Sequence, residues 1–132
     1  MKGRIIPAEA AEREELDWGT LAWFSRPATT EAGQLVVLEV TLAPGKFHDF
    51  HKHPAQEEVI YVIEGEVEQW LEGERQMLGP GGAVFIPTGT VHATFNDSTS
   101  DARCLAILGP AVGEGGYELV DVSGEEPWNS LR

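Results

Sequence analysis

The chain has few basic residues, a single cysteine and no long apolar run. Its 132 residues include 9 lysines and arginines against 22 acidic residues, and the formal net charge is −13. This charge repels nucleic-acid phosphates and anionic lipid surfaces, so we expect neither a nucleic acid nor a membrane as a partner. One cysteine excludes an intramolecular disulfide framework. Cys104 stands in the apolar stretch ARCLAIL and is predicted to be a buried core thiol.

The lengths of the apolar runs and of the chain bear on membrane insertion, location and domain count. The longest runs cover only a few residues, such as 35 to 38, whereas a membrane helix needs roughly 20. The first residues lack the apolar stretch of a secretory signal and are acidic where a transit peptide is basic, which predicts a cytoplasmic protein. The length predicts one domain over 1 to 132, with an N-terminal extension over 1 to 18 and a C-terminal extended segment over 110 to 132.

Turn residues are frequent and predict an all-β fold. Fifteen glycines and eight prolines separate short β-rich runs, which is typical of a sandwich or barrel with antiparallel connections. Only 8 to 17 favours helix by composition, and it lacks an apolar stripe, so any helix there is short. Five large side chains are predicted to belong to the core: Phe50, Trp70, Met77, Phe85 and Phe95. The predicted strands cover 20 to 25, 34 to 42, 58 to 65, 66 to 71, 75 to 78, 82 to 87, 91 to 96 and 102 to 109. A weaker strand is predicted over 117 to 122.

The stretch HKHPAQEE, at 51 to 58, holds the residues best suited to bind a metal. His51 and His53 are one residue apart, so in extended backbone both imidazoles project from the same face. Imidazole nitrogen and carboxylate oxygen are ligands that divalent first-row metals prefer. The remaining ligands must come from elsewhere, and the candidates are Glu57 or Glu58 nearby and His92 at the start of a predicted strand.

Two longer patterns contain these residues and resemble the two motifs of the cupin superfamily. The stretch GKFHDFHKHPAQEEVIYVIEG, at 45 to 65, has a glycine, five residues, His-x-His, four residues, Glu, six residues and a glycine. The stretch GGAVFIPTGTVHATFN, at 81 to 96, has a glycine, five residues, Pro-x-Gly, two residues, His, three residues and Asn. Two such patterns in the right order are far more specific than one short motif. The chain is similar to a small, single-domain, bacterial-type, RmlC-like cupin.

The resemblance implies a fold and a set of metal ligands. The fold would be a double-stranded β-helix, or jelly-roll barrel, and the site would hold one divalent transition metal per chain: Fe, Mn, Ni, Zn, Co or Cu. The ligands would be His51, His53, Glu58 and His92, because the six residues required before Gly65 select Glu58 over Glu57.

Other residues near the motifs receive secondary interpretations. Glu57 and Tyr61 are tentative candidates for proton transfer, although the phase of Tyr61 along its strand favours packing between the sheets. His48 has the wrong parity for the face of His51 and is interpreted as a solvated loop histidine. Ile60 and Val62 are expected to line a mostly apolar cavity.

The function implied by the resemblance is small-molecule chemistry at a metal. Dioxygenase-type oxidation is the first candidate reaction, and isomerase, decarboxylase or lyase chemistry on the same site is the alternative. A non-catalytic cupin that binds a sugar or another small molecule is a second class of function. A homodimer is expected from the family, with Trp18, Trp23 and Phe24 offering an apolar surface to a partner.

Overall fold

The computed structural model describes residues 2–132, which form two antiparallel β-sheets packed face to face. Helix is confined to Ala8–Ala10, Pro27–Thr30 and Trp128–Ser130, and none of the described helices is long and apolar enough to cross a membrane. The all-β prediction is confirmed. The strands are β1 (Glu12–Glu15), β2 (Thr20–Ser25), β3 (Val36–Leu42), β4 (Phe47–Lys52), β5 (Glu57–Glu64), β6 (Val67–Leu71), β7 (Glu74–Leu78), β8 (Ala83–Ile86), β9 (His92–Phe95), β10 (Ala102–Gly109) and β11 (Val120–Asp121).

The strand order brings the two motif-bearing parts of the chain together. One sheet has the order β1-β2-β3-β10-β5-β8, and the other has the order β11-β4-β9-β6-β7. Eight predicted strands are present, within two residues at each end, and β11 lies within the weaker strand predicted over 117 to 122. Strands β1 and β4 were not predicted. In the second sheet β4 lies directly beside β9, which places the first motif next to His92.

The acidic N-terminal stretch forms a strand where composition favoured a helix. The helical turn covers only Ala8–Ala10, and Glu12–Glu15 pairs along β2 in antiparallel register. A helix needs an apolar stripe to pack, and this stretch has none, whereas the edge of β2 offers unpaired backbone groups. Part of the predicted N-terminal extension is therefore the edge of the six-stranded sheet.

Apolar side chains between the sheets form three buried clusters. In β10 every second residue is buried, which is the alternation expected of a strand with one face on the core. Phe50, Trp70 and Phe95 pack together in one cluster, as predicted, and Cys104 is buried in another. The core predictions for Met77 and Phe85 are wrong, because both side chains point outward from β7 and β8 at the edges of the sheets and are exposed.

Asn96, the last residue of the second motif, is structural. Its fully buried side-chain amide donates to the carbonyl oxygens of Leu42, at 2.8 Å, and Ser100, at 2.9 Å. Its side-chain oxygen accepts hydrogen bonds from the backbone and hydroxyl of Ser98. Asn96 thus satisfies its buried polar groups by closing the turn after β9.

Gly65 is predicted to be the glycine least tolerant of substitution. It has a φ of +80°, and an added Cβ would lie 2.4 Å from the carbonyl oxygen of Asp101. Gly65→Ala is expected to lower the free energy of unfolding by about 3 kcal/mol, combining left-handed strain with a clash against backbone. Gly45 is the control, since it has a φ of +82° but nothing within 4 Å, and its alanine variant should lose about 1 kcal/mol. Equal losses for the two variants in urea unfolding would contradict the close approach.

Candidate metal centre

Three strands bring four polar side chains of the two motifs to one place between the sheets. His51 is in β4, His53 follows that strand directly, and Glu58 is the second residue of β5. His92 begins β9 and lies opposite His51 in the β4–β9 pairing. All four side chains are buried, with between 1% and 6% of their surface exposed.

The four side chains converge on a common point. His51, His53 and His92 each offer one ring nitrogen, and these three atoms lie within 4.8 Å of one another. Oε1 of Glu58 is 3.3 Å from Nε2 of His53 and 3.0 Å from Nε2 of His92. Three nitrogens and one oxygen at this spacing match the donor set of a transition-metal site.

Backbone carbonyls fix the tautomer of each imidazole. Nδ1 of His51 donates to Asp49 O at 2.6 Å, Nδ1 of His53 donates to Glu118 O at 2.8 Å, and Nδ1 of His92 donates to Thr90 O at 3.0 Å. A carbonyl oxygen can only accept, so the proton of each neutral ring is on Nδ1. The lone pair of each Nε2 is therefore free, which is the usual arrangement around a bound metal.

Two of the converging atoms have no hydrogen-bond partner. Within the described residues, Oε1 of Glu58 and Nε2 of His92 are buried side-chain atoms without a hydrogen bond, although they face each other. Buried polar atoms are rarely left unsatisfied, because the desolvation cost is not recovered. A cation between them would satisfy both, so these residues fit a metal ion.

The pKa shifts describe an ionised carboxylate among buried imidazoles. Burial by itself would raise the pKa of Glu58, but the facing imidazoles of His53 and His92 outweigh it and lower that pKa to about 2. Burial, with His48 and His92 close by, holds the pKa of His51 well below 6.5. Burial would also lower the pKa of His53, yet the Glu58 carboxylate outweighs it and raises that pKa. Glu58 is thus a carboxylate available to a cation at neutral pH.

The interpretation of His48 as a solvated loop residue is wrong. His48 lies in β4, lines the central cavity and stacks on His51 at 3.7 Å and on Trp18 at 3.9 Å between ring centroids. The two-residue alternation expected of a regular strand does not hold between His48 and His51, because β4 carries a bulge there. His48 pairs with Thr94 and His51 with His92, so three steps along β4 match two along β9. The extra residue brings both histidines to the same face.

A narrow cavity opens beside the converging atoms. Its volume is about 60 Å³, and its wall includes His51, His53, Glu58 and His92. Ile60 and Cys104 also line it, whereas Val62 does not and packs in a core cluster instead. Burial raises the pKa of the Cys104 thiol to about 11, which agrees with the prediction of an unreactive core residue.

Glu57 and Tyr61, the tentative proton-transfer residues, lie outside this cavity. Both are exposed on the outer face of β5, with 43% of Tyr61 accessible, so Tyr61 does not pack between the sheets. Glu58, Ile60 and Val62 occupy the inner face of the same strand, which is the alternation of a β-strand. Neither outer residue contacts the space beside the histidines.

The cavity instead contains a tyrosine that sequence reasoning missed. Tyr117 lines the cavity, and its ring centroid lies 5.7 Å from that of His53 and 5.7 Å from that of Trp23. Burial, with the carboxylates of Glu14 and Glu58, raises the pKa of Tyr117. Its hydroxyl has no side-chain or backbone hydrogen bond to the residues that the structure describes. The motifs give no signal for Tyr117, because it lies beyond the second motif.

The C-terminal segment that carries Tyr117 is docked onto the site. Gln56 is buried, and its amide donates to Pro110 O at 2.7 Å and Gly116 O at 3.0 Å. The backbone N–H of Glu118 donates to the Gln56 side chain, and β11 continues the sheet beside β4. Residues 110 to 132 therefore include a wall of the cavity, which the prediction of an extended surface segment did not anticipate.

Comparison with known proteins decides the family. The family model described as "Cupin domain" matches residues 38–108, which include both motifs. The chain belongs to the cupin family. The resemblance inferred from the two motifs is thereby confirmed.

Three known proteins are similar to this cupin in sequence or in structure. It is 29% identical to the polyketide synthase protein CurC of Streptomyces cyaneus over 83% of this chain and 71% of CurC. It is 43% identical to the dimethylsulfoniopropionate lyase DddQ of Ruegeria pomeroyi over 56% of this chain, and the match spans 35% of DddQ. The structure of KdgF from Halomonas sp. superposes with a TM-score of 0.76 at 20% identity, covering 86% of this cupin and 99% of KdgF.

Proposed function

We propose that this cupin holds one divalent transition metal on His51, His53, Glu58 and His92 and acts there on a small molecule. The observation that carries the proposal is the pair of unsatisfied buried atoms, Oε1 of Glu58 and Nε2 of His92, at the point where three imidazoles converge. Fe, Mn, Ni, Zn, Co and Cu all accept imidazole and carboxylate, so the donor set leaves the metal open. Measuring metal content is the direct test.

The cavity adds a site for a ligand beside the metal. A metal there would act as a Lewis acid on a bound oxygen atom of the ligand. The chain itself would hold the imidazoles by their Nδ1–H groups, keep Glu58 ionised and exclude bulk water with the buried walls. Tyr117 would place a phenol hydroxyl next to the bound molecule, where it could donate or accept a proton.

The presence of Tyr117 in the cavity favours proton-transfer chemistry, of the lyase or isomerase type, as the first reaction class. DddQ, a lyase, is consistent with this choice, but this cupin spans only about a third of DddQ, so its substrate is not carried over. Dioxygenase-type oxidation on the same metal is the second candidate. Screening small chelating compounds with the Fe, Mn, Ni and Zn forms distinguishes them, because only oxidation consumes dissolved oxygen.

Tyr117→Phe is expected to lower turnover by roughly a hundredfold or more while leaving metal content unchanged, since it removes only the proton-transfer group. Tyr61→Phe is the matched control: it makes the same change on the outer face and should leave turnover intact. Turnover is measured on the first substrate found in the screen. Equal activity of the two variants would contradict the role of Tyr117.

Two other functions make different predictions. A non-catalytic cupin would bind a small molecule at the metal without converting it under any of these conditions. A purely structural metal would leave no turnover and no ligand binding, and its removal by a chelator would unfold the protein. The open cavity beside the converging histidines favours ligand binding over a purely structural role.

A homodimer remains part of the proposal, with a second candidate surface besides the one expected. Trp23 is buried and offers no surface to a partner, whereas Trp18, which lines the cavity, and Phe24 are half-buried. An open groove of about 400 Å³ on the outer face of the six-stranded sheet is lined by Leu35, Val59 and Phe85 among others. Covering these apolar side chains with a second copy would stabilise a dimer.

Phe85→Lys is expected to convert the dimer to a monomer, because it replaces a large apolar side chain of this groove with a charged one that a covering copy would desolvate. Light scattering with size-exclusion chromatography measures the mass of the protein and the variant. The matched control is Met77→Lys, which changes an exposed residue of the other sheet. A monomeric wild-type protein would contradict the proposal.

We further propose that residues 1 to 132 form one cupin domain, because β1, near one end of the chain, belongs to the six-stranded sheet and β11, near the other end, belongs to the five-stranded sheet. The predicted cytoplasmic location stays a prediction.

A further inference from the structure

The wall that faces the histidines is aliphatic. The largest apolar side chains that the six-stranded sheet contributes to the cavity are Leu21, Leu38, Val40, Leu42, Ile60 and Leu108. His51 and His92 come from the opposing sheet. A ligand that reaches the converging nitrogens with one end therefore presents its other end to hydrocarbon.

The cavity offers no cationic side chain to such a ligand. Among residues 2–132, neither a lysine nor an arginine lines it. Arg26 lies on the outer side of Trp23, where its guanidinium stacks at 3.9 Å, pairs with Glu12 and donates to Gly115 O. A carboxylate or phosphate at the far end of a ligand would be buried without a cation to pair with, which is strongly unfavourable.

The charges of the polar groups limit the ligand further. As metal ligands the three imidazoles each donate a lone pair and carry no charge, and the Glu58 carboxylate contributes one negative charge. With a divalent cation the centre carries a net charge of about +1, by the charges of its parts. A neutral or singly negative chelate matches this charge, whereas a doubly negative one leaves an excess negative charge among apolar residues.

The size of the cavity selects small molecules. Its volume is about 60 Å³. A single water needs on the order of 10–15 Å³, so the cavity has room for a small molecule. The ligand that fits is smaller than a sugar ring with its substituents.

We propose that the cavity selects a small chelating ligand that is neutral or singly negative, with its only charge on the metal-binding atoms and the rest of its surface apolar. This selectivity rests on the proposed metal site and adds that molecules with a second charged group are rejected. The selectivity is set by the residues that line the cavity and does not depend on which reaction takes place at the metal.

A pair of probes with equal numbers of non-hydrogen atoms tests the selectivity. 2-Hydroxyisovalerate and tartronate are both 2-hydroxy acids. Tartronate carries a second carboxylate where 2-hydroxyisovalerate carries an isopropyl group. The protein is loaded with Co²⁺, and each probe is titrated while the visible absorption of the bound cobalt is followed. The monoanion is expected to bind roughly tenfold tighter or more, because the wall cannot pair the second carboxylate. Free Co²⁺ in water has the opposite preference, so the reversal must come from the cavity.

Two substitutions at Trp18, which is half-buried in the cavity wall, serve as matched variants. Trp18→Lys supplies a cation and should reverse the preference toward tartronate, whereas Trp18→Gln makes a similar opening without charge and should not. Failure of Co²⁺ to bind would count against the metal site itself. Bound cobalt with tartronate preferred by the wild type, or with neither probe bound, would overturn the selectivity and leave the metal site standing.

Discussion

His92→Ala is expected to lower the affinity of the protein for Co²⁺ or Zn²⁺ by more than roughly a hundredfold. Mutating a residue that only hydrogen-bonds to a metal ligand already lowers metal affinity by roughly tenfold to a hundredfold, and His92 is itself a proposed ligand. His92 contributes an unpaired Nε2 at the convergence point, and its ring is held by Thr90 O. Alanine removes this donor atom and leaves Oε1 of Glu58 with one imidazole fewer. Isothermal titration calorimetry of the metal-free protein measures the loss of affinity, and elemental analysis after dialysis measures the loss of bound metal. His51→Ala and His53→Ala should behave in the same way.

Neighbouring residues provide sharp controls for the metal ligands. His48 also lines the cavity and stacks on His51, but it is not among the three converging histidines, so His48→Ala should keep most of the affinity. Glu58→Gln and Glu57→Gln change adjacent residues on opposite faces of β5, and only the first should weaken binding. Circular dichroism verifies that each variant is folded. Full metal occupancy of His92→Ala, or equal effects of the two glutamate variants, would overturn the ligand assignment.

The convergence of these four residues could be predicted in part from local spacing and in part from the resemblance to the two cupin motifs. His51 and His53 share a face by the period of extended backbone, whereas the choice of Glu58 over Glu57 and the addition of His92 come from the motifs. Four glycines of the motifs, among them Gly65, adopt positive φ, as their positions at strand ends indicate. The inferences from spacing depend on residues close together in sequence, where geometry leaves few alternatives.

The remaining features of the cavity depend on contacts that spacing does not encode. The inward position of His48 results from one extra residue in β4, and bulges leave no consistent sequence pattern. Tyr117 reaches the site because Gln56, far from it in sequence, binds three backbone groups of the C-terminal segment. The exposure of Phe85 likewise reflects which strand ends at the edge of a sheet. These outcomes are set by tertiary pairing, so composition and periodicity miss them.

Acid is expected to destabilise the metal-free protein by at least about 2 kcal/mol between pH 6.5 and about pH 4.5, because His48 stays neutral in the folded chain. Burial lowers the pKa of His48 from 6.5 to about 3, so over this interval the unfolded chain protonates its imidazole and the folded chain does not. Burial, with His48 and His92 nearby, keeps the pKa of His51 well below 6.5, which adds to the loss in the same direction.

The other two shifted groups of the site act outside this pH interval. The Glu58 carboxylate overcomes the effect of burial and raises the pKa of His53, so the stabilisation from that group is complete below pH 6.5 and is lost as the pH rises through the raised value. The pKa of Glu58 is lowered from 4.5 to about 2, so its stabilisation is present above pH 4.5 and is lost as the pH falls toward 2. Between these limits the slope comes from His48 and His51.

Urea unfolding at a series of pH values, with a chelator present, measures this slope. His48→Gln replaces the imidazole with a side chain that does not titrate, so the loss between pH 6.5 and about pH 4.5 should shrink by about 2 kcal/mol. A flat profile for the wild type would show that His48 and His51 protonate in the fold. An unchanged slope in His48→Gln would show that the stack of Trp18, His48 and His51 does not hold His48 neutral.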